Sequence, residues 1–324
     1  MFRIIFCVFT LLVACSETSV QKSQNKPNIL LLYIDDLRPE LFSYGYSKIK
    51  SPNINLLAEK GIQFNNAYCN VPVCGASRAS MLTGMLPTKN RFLDYNTFVE
   101  KETPEAVTIP QLFKKNGYTT ISNGKIYHHL DDRTEDWDEV WRPYAFDEND
   151  KNLVPTDYWQ SLWKDYKNPI NASIYKKTDK GPAYEKPDVS DSTYIDGLMT
   201  EKVIRDIKRL KKENKPFFLT AGFINPHLPF NAPKKYWDQY QRNEIKQPQN
   251  YNQIPIDAPK MSISNSGELR SYNGIPKNGP VSDSLAISLI HGYYATISYT
   301  DALIGKILVT SVSYTHLRAH ETPI

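Results

Sequence analysis

The chain has 324 residues, enough for one large α/β domain with a substantial core. Its 39 basic and 35 acidic residues leave a net charge of only +4, which gives no basic balance of the kind that binds nucleic acid. Of four cysteines, Cys7 and Cys15 lie in the first fifteen residues, so only Cys69 and Cys74 remain and no disulfide framework is expected. Aromatic residues at 12%, with 21 Tyr and 5 Trp, suit carbohydrate contacts and ordinary cores equally.

Residues 1–15 carry Arg3, the apolar run Ile4 to Ala14 and then Cys15, the pattern of a secretory signal peptide. The run is too short to span a bilayer as a helix. Leu12-Val13-Ala14-Cys15 also fits a bacterial lipobox, with Cys15 lipidated; the plain alternative is a signal peptide with an incidental cysteine. The lipobox reading makes the membrane a partner through Cys15 and places the protein outside the cytoplasm, as a periplasmic or cell-surface bacterial lipoprotein. The polar stretch 16–26 reads as a solvated tether.

The first structured element is Asn28 to Asp36, a continuous apolar run ending in Asp35-Asp36. Such a run predicts a strand buried on both faces of a parallel sheet, with the two acids at its carboxyl end, where open α/β sheets bind ligands. Adjacent carboxylates repel unless a cation neutralises them, and hard oxygen donors favour Ca²⁺ or Mg²⁺. The plainer use of such a pair is as helix caps.

Ser51 to Gly61 has early Pro52, helical apolar spacing and a closing glycine, which predicts a helix. Ile62-Gln63-Phe64 is expected to start a strand leading through Ala67-Tyr68 to Cys74-Gly75-Ala76-Ser77-Arg78-Ala79-Ser80-Met81-Leu82-Thr83-Gly84. A helix from Ser77 onward would bring Arg78 near Cys74. Taken without context, the stretch is a turn into an amphipathic helix with a buried structural thiol.

Thr108 to Gly117 is a second capped helix, and Tyr118 to Ser122 a β-rich strand delivering Asn123-Gly124-Lys125-Ile126-Tyr127-His128-His129. Lys125 and His128 are candidate site residues there, and His129 has no role. Asp131 to Asp188 is Pro- and aromatic-rich with Trp137, Trp141, Trp159 and Trp163, and is expected to be an irregular insertion or lid. A helix is predicted from Thr193 to Lys212, its basic end Lys208 to Lys212 a solvated face. Pro216 to Phe223 reads as a buried strand carrying Asn225-Pro226-His227-Leu228-Pro229-Phe230, whose prolines hold the His227 imidazole in one place. Finally Ala286, Leu289, Ile290, Tyr293, Ile297 and Ile304 form one apolar stripe of a long core helix.

The run from Cys74 to Gly84 resembles the signature of type I sulfatases, C-x-P-S-R-x-x-x-L/M-T-G, departing only at Ala76, where the family usually has proline. Gly124-Lys125-x-x-His128 resembles the family's sulfate-binding segment, Asn225 to Phe230 its iduronate-2-sulfatase branch, and Tyr293 to Asp301 its long helix before the last metal-bearing strand. The resemblance implies an alkaline-phosphatase-like α/β fold, a mostly parallel sheet flanked by helices. It implies that a maturation enzyme oxidises Cys74 to formylglycine, whose hydrate attacks sulfur through one hydroxyl and expels sulfate through the other. Asp35, Asp36 and the modified Cys74 would bind calcium. Arg78 would hold the nucleophile and offset charge, and Lys125, His128 and His227 would contact sulfate.

The implied reaction is hydrolysis of a sulfate ester on a sulfated carbohydrate. The alternatives are a phosphonate or phosphate-ester hydrolase of the same superfamily and a non-catalytic, lipid-anchored glycan-binding protein. The resemblance covers residues 27–309. The tail 310–324, with His316 and His320, does not fit it, so the C-terminal part of the family domain is expected to be missing and the chain as it stands to be inactive.

Overall fold

A computed structural model describes residues 26–142 and 165–315. In chain order the elements are β1 (Ile29–Ile34), α1 (Pro52–Lys60), α2 (Cys74–Thr83), α3 (Val99–Glu102), α4 (Ile109–Lys115), β2 (Thr119–Gly124) and β3 (Glu139–Trp141). They continue with α5 (Pro169–Thr178), β4 (Tyr184–Glu185), α6 (Ile195–Glu213), β5 (Phe217–Phe223), β6 (Phe230–Asn231), α7 (Lys234–Trp237) and α8 (Asp283–Thr315). The main sheet is wholly parallel among the described strands, in the order β1-β5-β2-β3.

The apolar runs dictate that architecture. Every residue of β5 is buried, as a central parallel strand covered on both faces must be. β1 sends Leu30, Leu32 and Ile34 into a core shared with α6 and α8, and Ile29, Leu31 and Tyr33 into a second core against α2. Both faces are thus covered as expected. The strand nonetheless stays partly exposed, because it lies at the edge of the described sheet.

The register brings three strand ends to one level. Tyr33 and Gly124 both pair with Gly222 on β5. Immediately beyond, Asp35 N donates to Phe223 O at 3.1 Å and Lys125 N to Gly222 O at 2.9 Å. The close approach of the two chains depends on glycine: a Cβ on Gly222 would run into the Lys125 backbone.

α8 closes the far face with Ala295, Tyr299, Leu303, Ile304 and Ile307, a wider buried surface than the predicted stripe. It also caps α1. Ser51 makes no side-chain cap bond, and instead Asp301 accepts from Ile54 N at 2.8 Å and Asn53 N at 3.3 Å.

Three sequence expectations need correction. Ile62-Gln63-Phe64 forms no strand; no neighbour offers it a ladder, and Ile62 and Phe64 are 75% and 73% exposed. Residues 131–188 are not simply an irregular lid. Glu139–Trp141 pairs with Ile121–Asn123 in the main sheet, and Trp137 is core, stacked on Phe218 with ring centroids 5.8 Å apart. Trp159 and Trp163 lie outside the described residues. The helix expected from Ser77 already begins at Cys74. α8 itself continues past Val309 to Thr315, as adding residues to a formed helix costs little. Residues 1–25, Cys15 among them, and His316 and His320 lie outside the described residues. Among those described, no helix is long and apolar enough to cross a membrane.

Gly222→Ala should lower stability by about 3 kcal/mol or more, because backbone rather than a flexible side chain blocks the new methyl. Urea unfolding checks it; a midpoint matching wild type would contradict the close approach.

Candidate active site

The site is built around one buried carboxylate. Asp35 Oδ1 accepts from Arg78 Nη2 at 2.9 Å and Oδ2 from Lys125 Nζ at 2.6 Å, and all three side chains are almost fully buried. Arg78 reaches there from the second turn of α2. Its Nη1 donates to the backbone carbonyls of Lys125 and Ile126, and its guanidinium lies 4.3 Å from the centre of the Tyr33 ring. A single arginine therefore ties α2 to the ends of β1 and β2.

Cys74 is the first residue of α2. Gly75 follows because the backbone of Asp94 and Tyr95 crosses that point; a Cβ would sit 2.8 Å and 2.7 Å from their carbonyl oxygens. Burial pushes the Cys74 thiol up, with Lys125 and Arg78 pulling down and Asp35 and Asp36 adding to the rise. An unmodified Cys74 is thus mostly a thiol at neutral pH, a weak nucleophile. Burial also opposes charge on Asp35, but Arg78, Lys125 and His227 together outweigh it and hold the carboxyl well below the usual carboxylate range.

His128 is pulled down to about 3, mainly by burial and then by Lys125, His129 and Arg78, so its imidazole is neutral at physiological pH. Its Nδ1 is buried with no hydrogen-bond partner. His129, given no role from sequence, stacks on Phe98 with ring centroids 3.7 Å apart. His227 is buried in the turn after β5, with Nε2 4.0 Å from Asp36 Oδ2. Asp36 has φ of 54° and an exposed side chain, while its carbonyl accepts from the Tyr293 hydroxyl at 2.8 Å. All seven sequence-predicted residues, Asp35, Asp36, Cys74, Arg78, Lys125, His128 and His227, come together at the carboxyl edge of the sheet.

Sequence reasoning missed Asp196. This buried acid in the first turn of α6 accepts from Ile224 N at 3.0 Å and Asn225 N at 2.8 Å, and so fixes the turn that carries His227. Burial outweighs those two bonds and pushes its carboxyl up to about 6. An acid at a helix start reads as an ordinary cap; only the fold shows what it holds. Glu268 was also missed, with Oε1 3.3 Å from His227 Nε2.

The calcium expectation meets a limit. Both Asp35 oxygens already face cations, and beside them Asp36 offers an exposed carboxylate whose Oδ2 lies 4.0 Å from His227 Nε2. Calcium takes about six to eight oxygens. Among the described residues no group of three or more His, Cys, Asp or Glu could hold a metal ion. The described donor set does not fit a complete calcium site.

A parallel α/β sheet flanked by helices, with an ion-paired carboxylate, an arginine-braced helix start and two histidines at its carboxyl edge, fits the alkaline-phosphatase-like architecture of hydrolases. The sulfatase family model matches residues 27–310, and the chain belongs to that family. It is 32% identical over 307 residues to iduronate 2-sulfatase of Homo sapiens, covering 90% of this chain and 53% of that protein. It is 28% identical over 320 residues to a sulfatase of Formosa agariphila, of which it covers 56%. The chain thus spans about half the length of the curated relatives it matches. Among solved structures, a phosphonate monoester hydrolase of Silicibacter pomeroyi superposes with a TM-score of 0.61 at 19% identity, covering 89% of this chain and 60% of that one. A protein in complex with its substrate D-glucosamine-2-N,6-O-disulfate superposes with a TM-score of 0.59 at 19% identity, covering 90% and 63%.

Asp35→Asn should cost about 3 kcal/mol by leaving Arg78 and Lys125 buried beside a neutral amide. Wild-type Asp35 has a depressed pKa, so its contribution is full above about pH 4 and is lost as pH falls towards the folded value. The gap between the two proteins in urea midpoint should therefore be constant near neutrality and narrow below about pH 4. A gap independent of pH would contradict an ionised, paired Asp35.

Proposed function

We propose that the chain carries the nucleophile-bearing part of a sulfuric ester hydrolase that removes sulfate from a carbohydrate in the manner of iduronate 2-sulfatase. The observation that carries this reading is the position of Cys74, at a helix start beside Asp35, Lys125 and Arg78, with His128 and His227 on the same edge. As a free thiol Cys74 is suppressed by burial, which suits a residue that works in modified form. Converted by a formylglycine-generating enzyme, it would supply an aldehyde hydrate as the nucleophile towards sulfur.

The chain's own groups take the remaining roles. Asp35 pairs with Lys125 and Arg78 and fixes both, so the two side chains are in place before an anion arrives. Arg78, locked to two backbone carbonyls, orients the start of α2. His128 is neutral, with an unpartnered Nδ1, and offers a hydrogen bond to the ester without adding charge. His227, braced by its turn, stands at the leaving-group oxygen.

Calcium belongs to this reading only as a cation that Asp35 and Asp36 would help to hold, together with oxygen donors that the described residues do not supply. The reading includes a signal peptide, a lipid anchor at Cys15 and an exported, periplasmic or cell-surface location. Two findings favour sulfate over phosphonate or phosphate esters: the 32% identity is to a sulfatase, whereas the phosphonate hydrolase likeness, at 19%, is one of fold. A sulfated sugar is supported by the names of the iduronate and glucosamine-disulfate proteins.

Peptide mass spectrometry on the protein made with a competent maturation enzyme tests the mechanism. The Cys74 peptide should have exchanged one sulfur and two hydrogens for one oxygen. An intact, alkylatable thiol, with sulfated glycan still retained, would favour the non-catalytic glycan-binding alternative.

A further inference from the structure

A cavity of about 520 Å³ lies between the loop that follows β1, the turn that carries His227 and the N-terminal half of α8. That volume falls in the range of about 300–1,000 Å³ in which proteins hold small organic ligands. Two of its walls belong to the framework of the site. The Tyr293 hydroxyl donates to the Asp36 carbonyl at 2.8 Å and accepts from Arg38 N at 2.9 Å. Leu228, on the same lining, directly follows His227 in the chain. None of the seven site residues lines the cavity, so it is a neighbour of the centre and not part of it.

The lining combines two chemistries. Tyr46, Phe230, Tyr293 and Tyr294 give it aromatic walls. The Phe230 and Tyr293 rings pack edge to face with centroids 5.6 Å apart, and the Tyr46 and Tyr294 hydroxyls share a hydrogen bond at 2.6 Å. These contacts fix the rings, whose flat apolar faces suit the C–H groups of a pyranose ring. The charged lining residues are Arg38, Lys48 and Lys246 against a single acid, Glu40. Arg38 and Glu40 pair with each other at 2.9 Å. Lys48 and Lys246 have no ion-pair partner among the described residues, and Lys48 Nζ lies 6.0 Å from the centre of the Tyr46 ring. The lining therefore carries two positive charges that nothing in the fold answers.

An apolar ligand would leave both ammonium groups unanswered, and a neutral sugar would use the rings alone. An anionic sugar matches both. We propose that this cavity is a second sugar subsite, which holds an anionic pyranose ring neighbouring the unit whose sulfate ester is cleaved. The aromatic walls receive the ring, and Lys48 and Lys246 receive its carboxylate or its second sulfate group. The preferred substrate is then an acidic oligosaccharide of at least two units, not a single sulfated sugar. The anionic-sugar chemistry stands on the cavity; its link to the cleaved unit rests on the reading given under Proposed function.

Calorimetric titration of the full chain tests it, with D-glucuronate, glucose 6-sulfate and glucose as probes. The acidic sugars should bind about tenfold more tightly than glucose, through two exposed ion pairs, and lose that advantage at high salt. The tighter of the two acids identifies the anionic group that the lysines take. Lys48→Gln combined with Lys246→Gln should remove the preference for glucuronate over glucose and leave the urea midpoint unchanged. His128→Gln, altered at the centre, should leave glucuronate binding as it is. A disaccharide joining glucuronate to a sulfated hexosamine should bind at least about tenfold more tightly than glucuronate, because its two units are linked. The lysine double variant and His128→Gln should each weaken that disaccharide.

Glucose bound as tightly as glucuronate, or a preference for acidic sugars that survives the double variant, would overturn the proposal. So would a disaccharide that binds no better than glucuronate, since the cavity would then be unconnected with the centre. Tight disaccharide binding by a protein whose Cys74 stays unconverted would count against the sulfatase reading instead, and the anionic-sugar cavity would stand.

Discussion

A single carboxylate, buried between an arginine and a lysine, is the constraint on which the rest of the site depends. Asp35 is 5% exposed, so neither its charge nor those of Arg78 and Lys125 can be left to water. The three must meet, and they come from the end of β1, the second turn of α2 and the residue after β2. Their meeting fixes how far each strand end projects and where α2 begins. Cys74 inherits its place from that arrangement. So does the glycine contact between β2 and β5, without which Lys125 would stand off from Asp35.

The electrostatics sort the site's groups into distinct roles. Two cations flank the buried carboxylate of Asp35, while the carboxylates of Asp36 and Glu268 stand at the exposed rim beside His227. Burial first, and then the same cations, pull His128 down, so an uncharged hydrogen-bonding ring stands beside the fixed charges. Burial keeps the Cys74 thiol protonated despite the nearby cations, which sets it apart from a cysteine activated as a thiolate. An anion-receiving centre with a dormant thiol at its middle is the physical core of the proposed sulfate chemistry.

Much of this was legible in sequence because the chemistry sits directly after strands. Apolar runs announced β1, β2 and β5, and the polar residues that follow each, Asp35, Lys125 and His227, could be placed at one sheet edge before any coordinates. The family resemblance added their roles. What escaped was non-local. Asp196 bonds the backbone of the His227 turn and Glu268 faces the His227 ring, both from elements that local pattern does not connect to it. β3 is three residues long and lies in a Pro- and aromatic-rich stretch, so only its pairing with β2 makes it a strand. Ile62-Gln63-Phe64 failed the other way, with strand-forming residues but no neighbour to pair with.

The central claim is that the centre formed by Asp35, Arg78 and Lys125 beside residue 74 receives the sulfate group. A crystal structure of the chain grown with inorganic sulfate tests it most directly. The account predicts a sulfate beside residue 74, hydrogen-bonded to His128 or Lys125 on one side and reached by His227 on the other. A well-ordered sulfate bound elsewhere, with no anion at this centre, would contradict it.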